Sequence, residues 1–238
     1  MKIIIIGDIH SNCFALESVL KDIDKESPDL ILNLGDTFGY YPWAVEVWQQ
    51  LESVKYETHH LLGNHDALVA AQIPPDPEPV YYKQAKQNRD QLLKYAPKAL
   101  DHLNTLNYSA EWEIDGFDFH GFHGTPQNPA NGRFYPDDAE VKDWFPIKER
   151  SLVLLGHTHY PLFIQTGTSS GVLNPGSVGQ PRDGNVNASW VVWDTDSEAV
   201  EFRRTIYPLK KAVSLLKEMH WDERSVLSLE KDKPGELR

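Results

Sequence analysis

The chain has 238 residues, of which 40% are hydrophobic and seven are tryptophan, a composition that excludes a disordered chain and allows one substantial core. Its formal net charge of -12 argues against long nucleic acids as partners, because an acidic surface repels polyanions. Cys13 is the only cysteine, so no internal disulfide can form, and a cytoplasmic location is expected. The apolar run at the N-terminus is too short for a signal peptide, and no later run approaches the roughly 18 apolar residues of a membrane helix. We therefore expect no membrane partner.

The N-terminal part of the chain alternates apolar runs with helical patterns. Ile3 to Ile6 is a run of β-branched residues without polar alternation, which is typical of a strand covered on both faces. Helical spacing follows from Phe14 to Ile23, and a second apolar run spans Leu30 to Leu34. We therefore predict two parallel strands joined by a right-handed helical crossover. Trp43 to Val54 predicts another helix, and His60 to Leu62 a third short strand.

Prolines divide the middle of the chain. Pro74 to Pro79 cannot be helix and predicts an exposed loop. Two helices are then expected, from Tyr81 to Tyr95 and from Pro97 to Leu106, because the ring of Pro97 would disrupt a continuous helix.

The later part of the chain is dominated by short strand patterns. An Asp115-Gly116 turn between apolar pairs predicts an antiparallel hairpin, and Leu152 to Leu155 predicts a buried strand. Further strands are predicted at Leu162 to Gln165, Val172 to Asn174, Trp190 to Asp194 and Ala199 to Thr205, with helices at Asp137 to Trp144 and Leu209 to His220. We expect one α/β domain over residues 1–220, with parallel strands in its first half and a mostly antiparallel second sheet packed on them. Residues 221–238 are expected to form a charged, frayed C-terminal tail.

Potential metal ligands directly follow the glycines that end four apolar runs. These pairs are Gly7-Asp8, Gly35-Asp36, Gly63-Asn64 and Gly156-His157, and His123 follows a strand of its own. An ordinary turn explains any one of them. Because ligands bind beyond the carboxyl ends of strands in α/β sheets, we expect all five motifs at one rim, and turn chemistry does not explain that convergence.

The residue types at this rim indicate divalent transition metals. Asp, Asn and His suit Mn, Fe, Ni, Co or Zn better than Ca or Mg. The candidate ligands outnumber what one such ion needs, which suggests two ions bridged by a carboxylate.

In their order along the chain, these motifs resemble those of the calcineurin-like metallophosphoesterase superfamily. The resemblance rests on Asp8-x-His10, Gly35-Asp36, Gly63-Asn64-His65-Asp66, His123-Gly124 and Gly156-His157-Thr158-His159. Asn174 to Arg182 is similar to a later segment of its smaller bacterial and archaeal members. The resemblance implies a two-sheet β-sandwich flanked by helices (αββα) and a dinuclear, metal-dependent phosphoesterase.

The resemblance also implies a role for each residue of the motifs. Asp8, His10 and His159 would hold one ion, Asn64, His123 and His157 the other, and Asp36 would bridge the two. His65 would be the general acid that protonates the leaving oxygen, since imidazole titrates near neutrality. The two cations would lower the pKa of a bound water to give a metal-activated hydroxide and would neutralise the phosphoryl oxygens.

Three residues near the motifs admit two interpretations each. Arg182 is either a phosphate contact or a surface arginine, and Asn12 is either a substrate contact or, more commonly, a helix cap. Asp66 either orients His65 or caps the helix that follows. In addition, the aromatic cluster of Tyr40, Tyr41 and Trp43 could stack on a nucleobase, although core packing is the commoner role of such a cluster.

The segment after the bridging carboxylate narrows the substrate class. Protein serine/threonine phosphatases of the superfamily carry an Asp and an Arg a few residues after the bridging Asp. Here the residues that follow Asp36, as far as Tyr41, include neither an Asp nor an Arg. This favours small-molecule or nucleotide esters, and a phosphodiesterase is the leading hypothesis. A phosphomonoesterase, a dinucleoside polyphosphate hydrolase, a metal sensor and a non-catalytic binding scaffold are the alternatives. The presence of His65 together with all seven ligands argues against a scaffold.

Overall fold

The computed structural model describes residues 1–72, 78–138 and 148–230. The strands are β1 (Lys2–Ile6), β2 (Leu30–Asn33), β3 (Glu57–His60), β4 (Ser109–Ile114), β5 (Phe117–Phe122), β6 (Ser151–Leu155), β7 (Pro161–Gly167), β8 (Ser170–Pro175), β9 (Ala188–Asp194) and β10 (Ala199–Thr205). The helices are α1 (Cys13–Glu26), α2 (Ala44–Glu52), α3 (Asn64–Val69), α4 (Pro79–Tyr95), α5 (Pro97–Leu103), α6 (Leu209–Glu218) and α7 (Glu223–Glu230).

The first sheet has the strand order β10-β9-β1-β2-β3, with β1 at its centre. β1 pairs in parallel with β2, and β2 with β3, as the sequence predicted. Side chains of β1 alternate between two cores: Ile4 and Ile6 pack with residues of the helices, whereas Ile3 and Ile5 pack against the second sheet. This two-sided burial explains why the strand is apolar at every position from Ile3 to Ile6.

The second sheet has the order β4-β5-β6-β8-β7 and faces the first through an apolar layer. Its β4 and β5 form the hairpin predicted at Asp115-Gly116. The two-sheet sandwich flanked by helices is therefore confirmed, but the predicted division into a parallel half and an antiparallel half is wrong. β5, β6 and β8 pair in parallel, and β9 and β10 join the first sheet as antiparallel strands. Residue alternation identifies a strand without identifying its partner, which long-range contacts select.

Prolines act largely as the sequence indicates. α4 ends at Tyr95 and α5 begins at Pro97, so the predicted break is confirmed. The loop prediction is wrong for Pro79, which is the first residue of α4 and not part of a loop, because a proline is tolerated at the first helical position, where its missing N–H costs nothing. The rest of the predicted loop lies mostly in residues 73–77, and most of the predicted helix at Asp137 to Trp144 lies in residues 139–147, both outside the described residues. The third strand ends at His60, two residues before the predicted end.

The C-terminal region differs from the frayed tail expected from residue 221. Glu223–Glu230 form α7, with Val226 and Leu229 buried in the main core. The charged residues Glu223, Arg224 and Glu230 at the two ends of the helix obscure its apolar anchors in the sequence. Residues 231–238 lie outside the described range. Among the described residues, none of the helices combines the length and apolar character needed to cross a bilayer.

Candidate metal centre

The candidate site lies at the edge where strands of both sheets end. β1, β2 and β3 of the first sheet, with β5 and β6 of the second, each lead into one of the motifs. The backbone has positive φ at five non-glycine residues there, with values from 51° to 65°: Asp8, His10, Asp36, His157 and His159. Such left-handed conformations are costly for residues with a Cβ and concentrate at functional sites. The strand ends thus turn abruptly as they deliver these side chains to the site.

Asp8, His10 and His159 form the first cluster, and all three are buried. His159 Nε2 lies 3.0 Å from His10 Nε2 and 3.3 Å from Asp8 Oδ1. His159 Nδ1 donates to the backbone oxygen of Gln180 at 2.6 Å, so its Nε2 presents a lone pair to the cluster. Burial lowers the pKa of His10 and of His159, which favours the neutral imidazoles that metal coordination requires.

Asp36, His123 and His157 form the second cluster, with the Asn64 amide beside it. His123 Nδ1 donates to the backbone oxygen of Leu34 at 2.9 Å, and its Nε2 lies 3.0 Å from Asn64 Oδ1. The ring centroids of His123 and His157 are 5.3 Å apart. Burial is the largest single influence and would lower the pKa of His123, but the charge and hydrogen bonding of Asp36, the charge of Asp8 and the Leu34 carbonyl together raise the pKa to about 9. The local field therefore favours a positive charge at this cluster.

Asp36 lies between the two clusters. Its Oδ1 accepts the backbone N–H of His65 at 2.8 Å, and its Oδ2 lies 3.7 Å from His10 Nε2 and 3.4 Å from His123 Nε2. Among the described residues, neither Asp36 Oδ2 nor Asp8 Oδ1 has a hydrogen-bond partner, although both oxygens are buried. Unpaired buried carboxylate oxygens are costly unless a cation compensates them. In each cluster the His and Asp ligand atoms lie within 4.8 Å of one another, so both clusters fit a divalent cation.

Asp66 caps a helix, which settles the question the sequence left open. Its Oδ1 accepts the N–H of Phe38 at 2.8 Å, and its Oδ2 accepts the N–H groups of Thr37 and Gly63, each at 3.1 Å. The carboxylate thus ties the start of α3 to the loop after β2, and no hydrogen bond between Asp66 and the ring of His65 is found in the described residues. A Cβ at Gly63 would lie 1.9 Å from Asp36 Oδ1, which explains the glycine.

His65 occupies the first turn of α3 beside the first cluster. Its ring centroid lies 5.0 Å from that of His10, 4.6 Å from that of Tyr40 and 5.0 Å from that of Tyr81. Burial lowers the pKa of His65 to about 4, below the near-neutral titration expected from the sequence. The side chain is held by aromatic contacts, and Nδ1 has no hydrogen-bond partner among the described residues.

Asn12 is the N-cap of α1, the commoner of its two interpretations. Its Oδ1 accepts the N–H of Ala15 at 3.2 Å, and its Nδ2 donates to the backbone oxygen of Gly179 at 2.9 Å. The side chain is fully buried, so both ends of its amide are committed to the backbone.

Arg182 lies at the edge of the first cluster. Its Nη2 donates to the Tyr40 hydroxyl at 3.1 Å and to Gln180 Oε1 at 2.8 Å. After burial, its charge is the largest influence that lowers the pKa of His159. The contacts of Gln180 with His159 and Arg182, and of Tyr81 with His65, were not predicted from the sequence. Gln180 belongs to a segment quoted for the resemblance, whereas no motif marks Tyr81.

Comparisons with known proteins agree with this geometry. The family model of the calcineurin-like phosphoesterase superfamily domain matches residues 1–198. An uncharacterised protein of Methanocaldococcus jannaschii, MJ0912, is 31% identical over 88% of this chain and 89% of its own length. A metallophosphoesterase from Sphaerobacter thermophilus is 31% identical with a TM-score of 0.79, covering 98% of this chain and 99% of that structure. A hypothetical protein from Pyrococcus horikoshii, PH1004, shares the fold with a TM-score of 0.82 at 21% identity, over 98% and 99% of the two chains. The chain therefore belongs to the calcineurin-like phosphoesterase superfamily, whose members depend on metal, and is a hydrolase that acts on phosphate esters.

Proposed function

We propose that this hydrolase cleaves phosphodiesters of small molecules or nucleotides with two bound divalent metal ions. Asp8, His10 and His159 would hold one ion, Asn64, His123 and His157 the other, and Asp36 would contact both. The observation that carries the proposal is the buried Asp36 Oδ2, which is unpaired among the described residues and lies 3.7 and 3.4 Å from a ring nitrogen of each cluster.

The donor atoms support Mn, Fe, Ni, Co or Zn as the bound ions, because imidazole combined with carboxylate and amide oxygens suits these metals. His159 and His123 each donate their second ring N–H to a backbone oxygen, the outer contact that orients a metal-binding imidazole. When bound, two such ions lower the pKa of a bound water and neutralise the phosphoryl oxygens.

His65 would protonate the leaving oxygen. Its ring is adjacent to the first cluster and is not needed as a ligand. Burial lowers its pKa to about 4, and the negative charge of a phosphate ester beside the ring would raise the pKa again, which would favour the protonated ring that a proton donor requires. The proton then passes to the leaving oxygen, which would otherwise depart as an alkoxide.

Arg182 supports a diester more than a phosphoprotein as substrate. Its guanidinium is held beside the site by Tyr40 and Gln180, and one positive charge matches the single negative charge of a diester. The net charge of -12 disfavours long nucleic acids. The single buried cysteine, Cys13, fits a cytoplasmic location.

The proposal is tested on chelator-treated protein reloaded with Mn. Hydrolysis of bis(p-nitrophenyl) phosphate, p-nitrophenyl phosphate and diadenosine tetraphosphate is compared at matched metal, together with the bound metal per chain. We expect about two ions per chain and the highest kcat/KM for the bis ester. A higher kcat/KM for the monoester or the tetraphosphate would contradict a phosphodiesterase and identify that substrate class instead. Protein that binds two ions yet cleaves none of the three substrates would contradict a catalytic function.

A further inference from the structure

A cavity of about 350 Å³ lies between the start of α4, the segment after β8, and α7. Its walls combine aromatic, aliphatic and cationic side chains. The residues that carry the argument are Tyr40, Tyr81, Gln180, Arg182, Arg224 and Leu227. Its volume lies in the range of small-molecule sites and accommodates a group of nucleoside size.

Two side chains in the wall of the cavity also contact a residue of the metal centre. Tyr40 and Tyr81 belong to its wall, and their ring centroids lie 4.6 Å and 5.0 Å from that of His65. Arg182, also in the wall, donates to the Tyr40 hydroxyl at 3.1 Å. The cavity therefore begins beside the residue proposed to protonate the leaving oxygen. Because displacement at phosphorus is in line, the leaving group lies on the side of its proton donor, and this cavity lies on that side.

α7 builds the far wall and is held rigidly against the site. Gln180 Nε2 donates to Ser228 Oγ at 2.9 Å, while the backbone oxygen of the same Gln180 accepts from the ring of His159. Trp221, just before α7, donates from Nε1 to the backbone oxygen of Tyr40 at 2.7 Å. α7 lies beyond residue 198, where the family model ends.

The wall chemistry points to a ring-bearing, anionic ligand. Leu227 presents an apolar side chain that is 48% exposed, opposite the tyrosine rings. No ion pair of Arg182 or Arg224 is found in the described part of the chain, whereas Asp222, the acidic group in the wall, caps α7 through Ser225. Two guanidinium groups in a chain of net charge -12 attract an anionic substrate to this mouth.

We propose that this cavity is the leaving-group subsite and that it selects phosphate esters whose leaving group is a nucleoside or a ring system of similar size. Apolar contact with Leu227 and ring contact with the tyrosines hold that group while the phosphate lies at the metal centre. The inference rests on the proposed function, since it needs a phosphate at that centre.

Calorimetric titration of the Mn-loaded protein tests the subsite without relying on turnover. Thiophosphate and adenosine 5′-thiophosphate share the group that would bind the metals and differ in the nucleoside, and the thiophosphate ester is hydrolysed more slowly than the phosphate ester. We expect adenosine 5′-thiophosphate to bind about tenfold tighter than thiophosphate or better. Leu227→Gln should reduce that ratio about threefold or more because it makes the wall polar, whereas Leu227→Met, of the same shape as Gln but apolar, should keep it within about twofold.

The outcomes separate the cavity from the activity. Equal affinity for the two ligands, or a ratio that survives Leu227→Gln, would overturn the subsite. Hydrolysis of bis(p-nitrophenyl) phosphate by the same wild-type sample would then still support the proposed function. Conversely, a Leu227-dependent ratio in protein that cleaves no ester would support nucleoside binding in the cavity but contradict both the proposed function and the assignment of the nucleoside as a leaving group.

Discussion

The backbone N–H of His65 donates to Asp36 Oδ1 at 2.8 Å, and this bond leaves Asp36 Oδ2 facing a ring nitrogen of each cluster. Asp36→Asn should keep this bond through its carbonyl oxygen. In the opposite orientation, the side-chain NH₂ would face the backbone N–H of His65, and two donors would meet without an acceptor. In the favoured orientation, the NH₂ group occupies the position of Oδ2 and cannot bind a cation. We expect bound Mn to fall from about two ions per chain to one or fewer, and kcat/KM to fall about 10³-fold.

Metal analysis after gel filtration and hydrolysis of bis(p-nitrophenyl) phosphate check this prediction. Asp101→Asn, which changes an exposed carboxylate on α5, is the control and should match the wild type. Full metal content together with full activity in Asp36→Asn would show that the carboxylate does not join the two sites.

His65 contacts the first cluster through its ring and provides no ligand atom in our assignment, so its removal should separate proton donation from metal binding. We expect His65→Asn to lower kcat about 10²–10⁴-fold for a dinucleotide, whose leaving alkoxide needs a proton. The loss should be much smaller for bis(p-nitrophenyl) phosphate, because nitrophenolate leaves without one. Metal content should stay unchanged, and His220→Asn, at an exposed histidine, serves as control. An equal loss on both substrates would argue against a general acid.

Asp66 accepts three backbone N–H groups from two different loops, so its carboxylate contributes to folding. Asp66→Asn replaces one acceptor oxygen by a donor and leaves at least one buried N–H unpaired. We expect the free energy of unfolding to fall by about 1–3 kcal/mol, measured by urea denaturation of metal-free protein. Asp90→Asn, at an exposed position of α4, should change the free energy of unfolding by less than about 0.5 kcal/mol. Unchanged stability in Asp66→Asn would mean that the three bonds contribute little.

Cys13 should be chemically inert in the folded protein. Burial raises the pKa of its thiol to about 12, and the residue is 8% exposed at the start of α1. Because the thiolate is the reactive form, native protein should resist iodoacetamide at pH 8 and react fully in urea. Rapid labelling of the native protein would instead show that the thiol is accessible and ionised in the folded state.

The convergence of the candidate ligands could be predicted from sequence because each of them is specified locally. A buried strand, a glycine and a metal-binding side chain follow one another within a few residues, as at Ile6-Gly7-Asp8. The parallel order of β1, β2 and β3 then brings their ends to one edge without further information. Both the sandwich and the convergence of Asp8 and Asp36 were therefore accessible from the chain alone.

The remaining features depend on contacts between distant segments. The sequence of β9, which contains Trp193, is compatible with an antiparallel strand in either sheet. Only its pairing with β1, in which Trp193 lies opposite Ile3, assigns β9 to the first sheet. Gln180 hydrogen-bonds to His159 through its backbone oxygen, to Arg182 through Oε1 and to α7 through Nε2. The local sequence pattern does not predict these contacts. Tyr81 lies in the first turn of α4 and contacts His65. The proline-rich sequence before this helix gives no indication of that contact.

α7 provides the sharpest contrast, because a frayed tail and a packed helix predict different energetics for two leucines on one element. Leu229 is 2% exposed in the main core, whereas Leu227 is 48% exposed. Leu229→Ala should lower the free energy of unfolding by about 2–5 kcal/mol, the cost of a buried leucine, and Leu227→Ala by less than about 0.5 kcal/mol. Urea denaturation at fixed metal concentration measures both. If the helix were frayed, neither substitution would matter, and equal, negligible effects would remove α7 both from the core and from the wall of the cavity.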